Sequence, residues 1–134
     1  MANAGQLDPE LVRDFVASAH GDVARVHDLL RQEPRLANAA WDWGGGDWET
    51  ALGAAAHMGR KDIAQLLIGK GARVDIFAAA MLGWTDIVRA MLAAVPEART
   101  WQGPHGISLL QHAEAGGADA ALVMEYLRGL EEPR

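Results

Sequence analysis

One stretch of this chain constrains its fold more than any other. Residues 49–75 contain an alanine-rich segment that ends at Gly59 and a second segment with apolar residues at helical spacing, which closes at Gly69 and Gly71. This pattern predicts two short antiparallel helices joined by a tight turn. A helix pair of this size is too small to bury its own apolar face, so it requires similar pairs on either side.

Glycine turns recur along the chain at Gly21, Gly59, Gly83 and Gly117. Their successive spacings are 38, 24 and 34 residues. The first and last lie near a repeat length of about 33 residues, and the middle one is about nine residues short. No alternation of period two, which would indicate strands, accompanies these turns. The recurrence therefore predicts a stack of helix pairs.

Residues 50–59 read Thr-Ala-Leu-Gly-Ala-Ala-Ala-His-Met-Gly and resemble the T-P-L-H-x-A-A-x-x-G core of ankyrin repeats, although Ala51 and Gly53 replace the proline and histidine. A weaker copy starts at Ser108, and residues 69–75 resemble the G-A-D-V-N exit of such repeats. The chain is also similar to compact bacterial ankyrin-like proteins.

The resemblance implies an all-α ankyrin-repeat solenoid of stacked helix-turn-helix pairs, forming a single domain over residues 1–134. One repeat lacks its hairpin finger, because Val74 and Asp75 lead almost directly into the next helix. The family implies binding of other proteins and no catalytic residues. About four repeats are expected, at approximately residues 8–36, 48–72, 73–96 and 105–130.

The composition narrows the range of partners and locations. The formal net charge of −6 argues against nucleic acid, which requires a basic surface. Half the residues are hydrophobic and 22% are charged, which favours a folded domain that neither spans nor binds a membrane. The first twenty residues lack the pattern of a signal peptide and the chain has no cysteine, so we expect a cytoplasmic protein. We expect a monomer or a weak homodimer.

Two long connections, residues 36–49 and 97–107, interrupt the repeats and contain four of the five tryptophans. We call them the first loop and the second loop. Helices pack roughly 8–10 Å apart, so two repeats should separate these loops by about 20 Å. A notch is expected between them, floored by the first helices of the second and third repeats near His57, Ala78 and Met81.

The first loop places three indoles beside three carboxylates between Trp41 and Glu49. One interpretation is a cage for a Lys or Arg side chain or a quaternary ammonium, held by the ring faces and the acids. The other is that the indoles fold back and cap the alanine-rich helices. Ca²⁺ binding by Asp42, Asp47 and Glu49 is disfavoured, because their spacing does not match a calcium-binding loop.

Catalytic and metal-binding motifs are not evident. The five histidines show neither H-E-x-x-H nor a zinc-finger spacing, so structural roles and no metal are predicted; His57 and His105 border the expected notch. Neither Ser18 nor Ser108 lies in G-x-S-x-G. Ser108 and Thr50 occupy the motif position whose hydroxyl ties the finger to the helix start.

The sequence therefore predicts a non-catalytic scaffold without a cofactor, which binds a protein or peptide along the edge formed by the first and second loops. The acidic balance favours a basic element in the partner. The alternative is binding of a small molecule or cation in the notch between the loops. The residues predicted to contact the partner are Trp41, Asp42, Trp43, Asp47, Trp48, His57, Met81, Trp101 and His105.

Overall fold

The computed structural model describes residues 5–131, and within them it contains eight α-helices and one two-stranded hairpin. No helix in this part of the chain is both long and apolar enough to cross a membrane. The helices are α1 Pro9–Ser18, α2 Val23–Gln32, α3 Ala51–His57, α4 Lys61–Gly69, α5 Ile76–Leu82, α6 Thr85–Ala94, α7 Leu109–Ala115 and α8 Ala121–Glu131. The strands are β1 Ala40–Asp42 and β2 Trp48–Thr50, paired antiparallel.

Polar side chains start five of the helices by accepting a hydrogen bond from a backbone N–H of the first turn, which satisfies a group that the helix itself leaves unpaired. The Thr50 hydroxyl accepts from the N–H of Gly53 at 3.0 Å, which confirms the expected cap of α3. Ser108 caps α7 in the same way. The five capping residues are Asp8, Asp22, Thr50, Asp75 and Ser108.

The first helices of the pairs stack in chain order, α1 on α3, α3 on α5 and α5 on α7, while α2 packs on α4 and α6 on α8. Alanine makes this close packing possible: Ala54–Ala56 in α3 and Ala78–Ala80 in α5 are fully buried. This is the all-α solenoid expected from the sequence. The hairpin adds strands of only three residues each, too short to give a visible alternation.

The third pair has no finger, as predicted, because Asp75 directly caps α5 through the N–H of Ala78. The third pair is therefore short, and the fourth pair contacts the second pair as well as the third. Helix α7 contacts α3 as well as α5. The Lys61 Nζ at the start of α4 donates to the carbonyl of Gly116 at 2.9 Å.

The predicted 20 Å separation of the two loops is wrong. The backbone N–H and the Nδ1 of His105, in the second loop, lie 2.8 and 2.7 Å from the carboxylate oxygens of Asp47 in the first. The estimate assumed evenly spaced pairs, whereas the short third repeat draws the fourth pair towards α3. The predicted floor is also wrong at Met81 and Ala78, since both side chains are completely buried.

The close approach of α7 to α5 can be tested by substitution of Gly116. A Cβ built on Gly116 would lie 2.1 Å from the Met81 carbonyl oxygen, so an alanine there must push α7 away from α5. We expect Gly116→Ala to lower the free energy of unfolding by about 1–3 kcal/mol, the usual cost of overpacking, in urea denaturation.

Gly69, the last residue of α4, supplies the matched control, because a Cβ there has nothing within 4 Å. Gly69→Ala should raise the free energy of unfolding by about 0.5–1 kcal/mol through reduced freedom of the unfolded chain. Equal effects of the two substitutions would contradict the close approach of α7 to α5.

Candidate functional site

A buried carboxylate lies where the two loops meet. Glu49 is in the middle of β2 and is only 1% exposed. Its Oε1 accepts a hydrogen bond from Trp43 Nε1 at 2.8 Å, and its Oε2 lies 2.9 Å from His57 Nε2. A buried charge is tolerated only when it is paired and hydrogen-bonded. The Glu49 carboxylate therefore requires hydrogen-bond donors from the elements around it.

Two further imidazoles complete this group. His20 follows the end of α1, and its Nε2 lies 3.2 Å from Glu49 Oε1. His105 Nε2 lies 3.3 Å from Glu49 Oε2. The ring of His57 is centred 5.0 Å from that of His20 and 5.2 Å from that of His105. We call His20, Glu49, His57 and His105 the histidine–glutamate cluster.

The far nitrogens of two rings are held by acceptors outside the cluster. His20 Nδ1 lies 3.1 Å from the carbonyl oxygens of both Val16 and Ala17. His105 Nδ1 lies 2.7 Å from Asp47 Oδ2. Because carbonyl and carboxylate oxygens only accept, each Nδ1 donates its proton there. The orientation of both rings is thereby fixed, with Nε2 facing Glu49.

His105 is held in an uncommon backbone conformation. It is the one non-glycine residue among residues 5–131 with a positive φ, at 62°. Such a conformation is disfavoured for a residue with a Cβ and persists where surrounding contacts stabilise it. Asp47 provides them by accepting from both the backbone N–H and the ring of His105. The result is that the ring of His105 is turned towards Glu49.

The electrostatics of the cluster follow from these contacts. Burial alone raises the pKa of Glu49, but hydrogen bonds from His20, His57 and Trp43 outweigh it and hold the pKa at about 2. The hydrogen bond to Glu49 raises the pKa of His20 above its ordinary value, against the opposing effect of burial. The backbone N–H of His105 is the main cause of the lowered pKa of Asp47. The carboxylates of Glu49 and Asp47 therefore stay ionised.

The tryptophans of the two loops divide into two groups. Trp41 and Trp43 are partly buried and pack against the core around α1 and α3, so the capping interpretation holds for them and an open cage of three indoles is not formed. Trp48 and Trp101 are 60% and 45% exposed. These two indoles of the loops are therefore exposed to solvent.

The three acids of the first loop are engaged separately. Asp42 Oδ1 accepts from the N–H groups of Gly44 and Gly46, which shapes the hairpin turn. Asp47 holds His105, and Glu49 lies in the cluster. The arrangement gives these carboxylates no common point at which to bind Ca²⁺ together.

A cleft of about 310 Å³ lies between the two loops, beside the cluster. It runs from the turn of the hairpin to the start of α5 and to the second loop, and it is open to solvent. Its lining residues are Gly46, Asp47, Trp48, Thr50, Gly53, Asp75, Phe77, Gln102, Gly103 and Pro104.

Of the predicted residues, the structure brings Trp43, Asp47, His57 and His105 together around Glu49. Sequence reasoning left His20 out of the site, and it considered Glu49 only as one of three acids that could surround a cation or ligate Ca²⁺. Metal motifs are recognised by short spacings, whereas these side chains come from two helix pairs and two loops. A weak signal was present, since His20 and His57 lie one and two residues before turn glycines.

Two tryptophans of the hairpin provide a test of the hydrogen bond from Trp43 to Glu49. Trp43→Phe removes the Nε1 hydrogen bond to the Glu49 carboxylate and should lower the free energy of unfolding by about 1.5–3 kcal/mol. Trp48→Phe, at an exposed position, should change it by no more than about 0.5 kcal/mol. Urea denaturation followed by circular dichroism measures both, and similar values would show that Glu49 does not depend on Trp43.

Comparison with known proteins agrees with this architecture. Residues 47–78, about a quarter of the chain, match the ankyrin repeat family model. The matched segment spans β2, α3, α4 and the start of α5. A search of curated proteins found no match. The matched segment is an ankyrin repeat, and helix pairs stacked on both sides of it extend its arrangement.

Proposed function

We propose that this protein is a non-catalytic scaffold that binds a protein or peptide along the edge formed by the first and second loops. Ankyrin repeats generally mediate protein–protein interaction and are typically not enzymes. The observation that carries the proposal is the 60% exposure of Trp48 beside an open cleft. Trp101, exposed on the second loop next to the cleft-lining Gln102, is the second proposed contact.

The backbone around Trp48 explains why its indole remains available. Side chains alternate along a strand, so the burial of Glu49 directs its neighbour Trp48 outwards. Thr50 then fixes the end of the strand by capping α3. A large aromatic side chain on a rigid support loses little entropy when it binds, and tryptophan is enriched among the residues that dominate binding energy.

The charges at the cleft favour a basic partner. Asp47 and Asp75 are among the residues that line it. Among the described residues that form this lining, none is Lys or Arg. The whole chain carries a formal charge of −6, which adds a long-range attraction for cations. We propose that a Lys or Arg side chain of the partner lies against the indole of Trp48, where a cation–π contact contributes about 0.5–2 kcal/mol.

The cleft also has the size of a small-ligand pocket, at the lower end of a range of about 300–1,000 Å³. Its opening to solvent along the loops suits an extended peptide better than an enclosed small molecule. A peptide that crosses it reaches both exposed indoles, whereas a small ligand does not need to.

The test is selection from a random peptide library on the immobilised full-length chain, followed by affinity measurement by calorimetry. We expect the selected peptides to be enriched in Lys and Arg. Trp48→Ala should weaken their binding by about 30-fold or more, the effect of losing a residue worth about 2 kcal/mol. Leu122→Ala is the matched control, because Leu122 is also an exposed apolar residue, at 67%, but lies on α8 away from the cleft.

Peptides without basic enrichment, or equal affinities for wild type and Trp48→Ala, would contradict the proposed edge. Loss of binding in Leu122→Ala with full binding in Trp48→Ala would place the surface on α8 instead.

A further inference from the structure

We propose that the histidine–glutamate cluster binds a divalent transition-metal ion of the zinc class. His20, Glu49, His57 and His105 each offer one ligand atom, and these four atoms all lie within 4.8 Å of one another. The inference does not depend on the peptide-binding proposal, since none of the four ligand residues lines the cleft.

The distances within the cluster suit a tetrahedral ion. Zinc binds imidazole nitrogen and carboxylate oxygen at about 2.0–2.2 Å, so neighbouring ligand atoms around it lie about 3.3–3.5 Å apart. His20 Nε2 lies 3.2 Å from Glu49 Oε1, and His105 Nε2 lies 3.3 Å from Glu49 Oε2. His57 Nε2 is slightly closer, at 2.9 Å. Small side-chain adjustments therefore admit an ion between these atoms.

Hydrogen bonds made by Nδ1 of His20 and His105 leave Nε2 of each ring facing the cluster, where it can bind the ion. Nδ1 of His20 donates to backbone carbonyls, and Nδ1 of His105 donates to Asp47. In the neutral form of each ring, Nε2 then carries a lone pair directed at the cluster. A metal ion that binds at these lone pairs displaces the Nε2 proton with which His20 hydrogen-bonds to Glu49 in the metal-free protein.

Asp47 has the position of an outer-shell residue in known metal sites. A ligating histidine almost always donates its other N–H to a carboxylate, carbonyl or water, which fixes its orientation. Two of these acceptor types are present here. The Asp47 carboxylate lies behind His105, and the carbonyls of Val16 and Ala17 lie behind His20. The backbone of His105, held at φ 62° by Asp47, serves the same orientation.

The donor set identifies the class of ion and its role. Three imidazoles and one carboxylate favour zinc and its neighbours over Ca²⁺ or Mg²⁺, which prefer oxygen ligands. Four protein ligands fill a tetrahedron, which is typical of structural sites. The side chains of His20 and His105 are 27% and 33% exposed, whereas that of Glu49 is fully buried, so the ion reaches the cluster from the side of these two histidines.

A bound ion would join elements that are far apart in the sequence. Its ligands come from the end of α1, the hairpin, the end of α3 and the second loop. The ion would thereby fasten the second loop to the first and fix the opening of the cleft between them.

The first experiment titrates the chelator-treated full chain with Zn²⁺ by calorimetry and with Co²⁺ by visible absorption. We expect one ion per chain, the intense visible bands of tetrahedral Co²⁺, and a rise in Tm when Zn²⁺ is present. Absence of stoichiometric binding, or a Co²⁺ spectrum of octahedral type only, would overturn the proposal.

The Zn²⁺ affinities of single-substitution variants show which residues bind the ion. His105→Asn removes an imidazole but keeps a residue that tolerates a positive φ, and it should weaken Zn²⁺ binding at least tenfold. Asp47→Asn, which changes no ligand, should weaken it by about 10–100-fold. His27→Ala is the matched control, because His27 is exposed on α2 outside the cluster, and it should bind like wild type.

Thermal unfolding of the metal-free variants shows whether each one is folded. If His105→Asn does not fold, His20→Asn removes a ligand from a different element and serves in its place. Wild-type Zn²⁺ affinity in a folded His105→Asn or His20→Asn variant would refute the cluster as the site. Weaker binding in His27→Ala would do the same.

Discussion

The structure depends on one unfavourable burial, that of the Glu49 carboxylate. Removing a charge from water is costly unless hydrogen-bond donors surround it. Trp43 and three histidines from separate parts of the chain meet this need. Because the donors belong to α1, α3 and both loops, satisfying one side chain fixes how these elements lie together. The exposed face of the hairpin, where Trp48 lies, is positioned by the same contacts.

Close backbone packing brings these donors within reach. The buried alanines of α3 and α5 let the first helices of the pairs approach closely, and glycine at position 116 lets α7 contact the carbonyl of Met81. The missing finger shortens the third pair, so the fourth pair lies against α3. The second loop leads directly into α7 of this pair, and its His105 therefore reaches the first loop. A regular stack would hold the two loops apart.

Much of this could be predicted from the sequence. Helix pairs and their turns follow from local apolar spacing and glycine, and the cap at Thr50 and the absent finger before Asp75 follow from neighbouring residues. The hairpin, with three residues per strand, is too short to show a period. The cluster could not be predicted, because His20, Glu49 and His105 become neighbours only through packing. The exposure of Trp48 and burial of Trp43 likewise depend on which face of the hairpin meets the core.

A double-mutant cycle between Asp47 and His105 shows whether the first and second loops are directly joined. Free energies of unfolding of the metal-free wild type, Asp47→Ala, His105→Asn and the double variant are measured by urea denaturation. Contacting residues in one network couple by about 0.5–3 kcal/mol, so we expect a stabilising coupling in this range. Additive effects of the two substitutions would contradict it, since they would mean that the first and second loops do not meet.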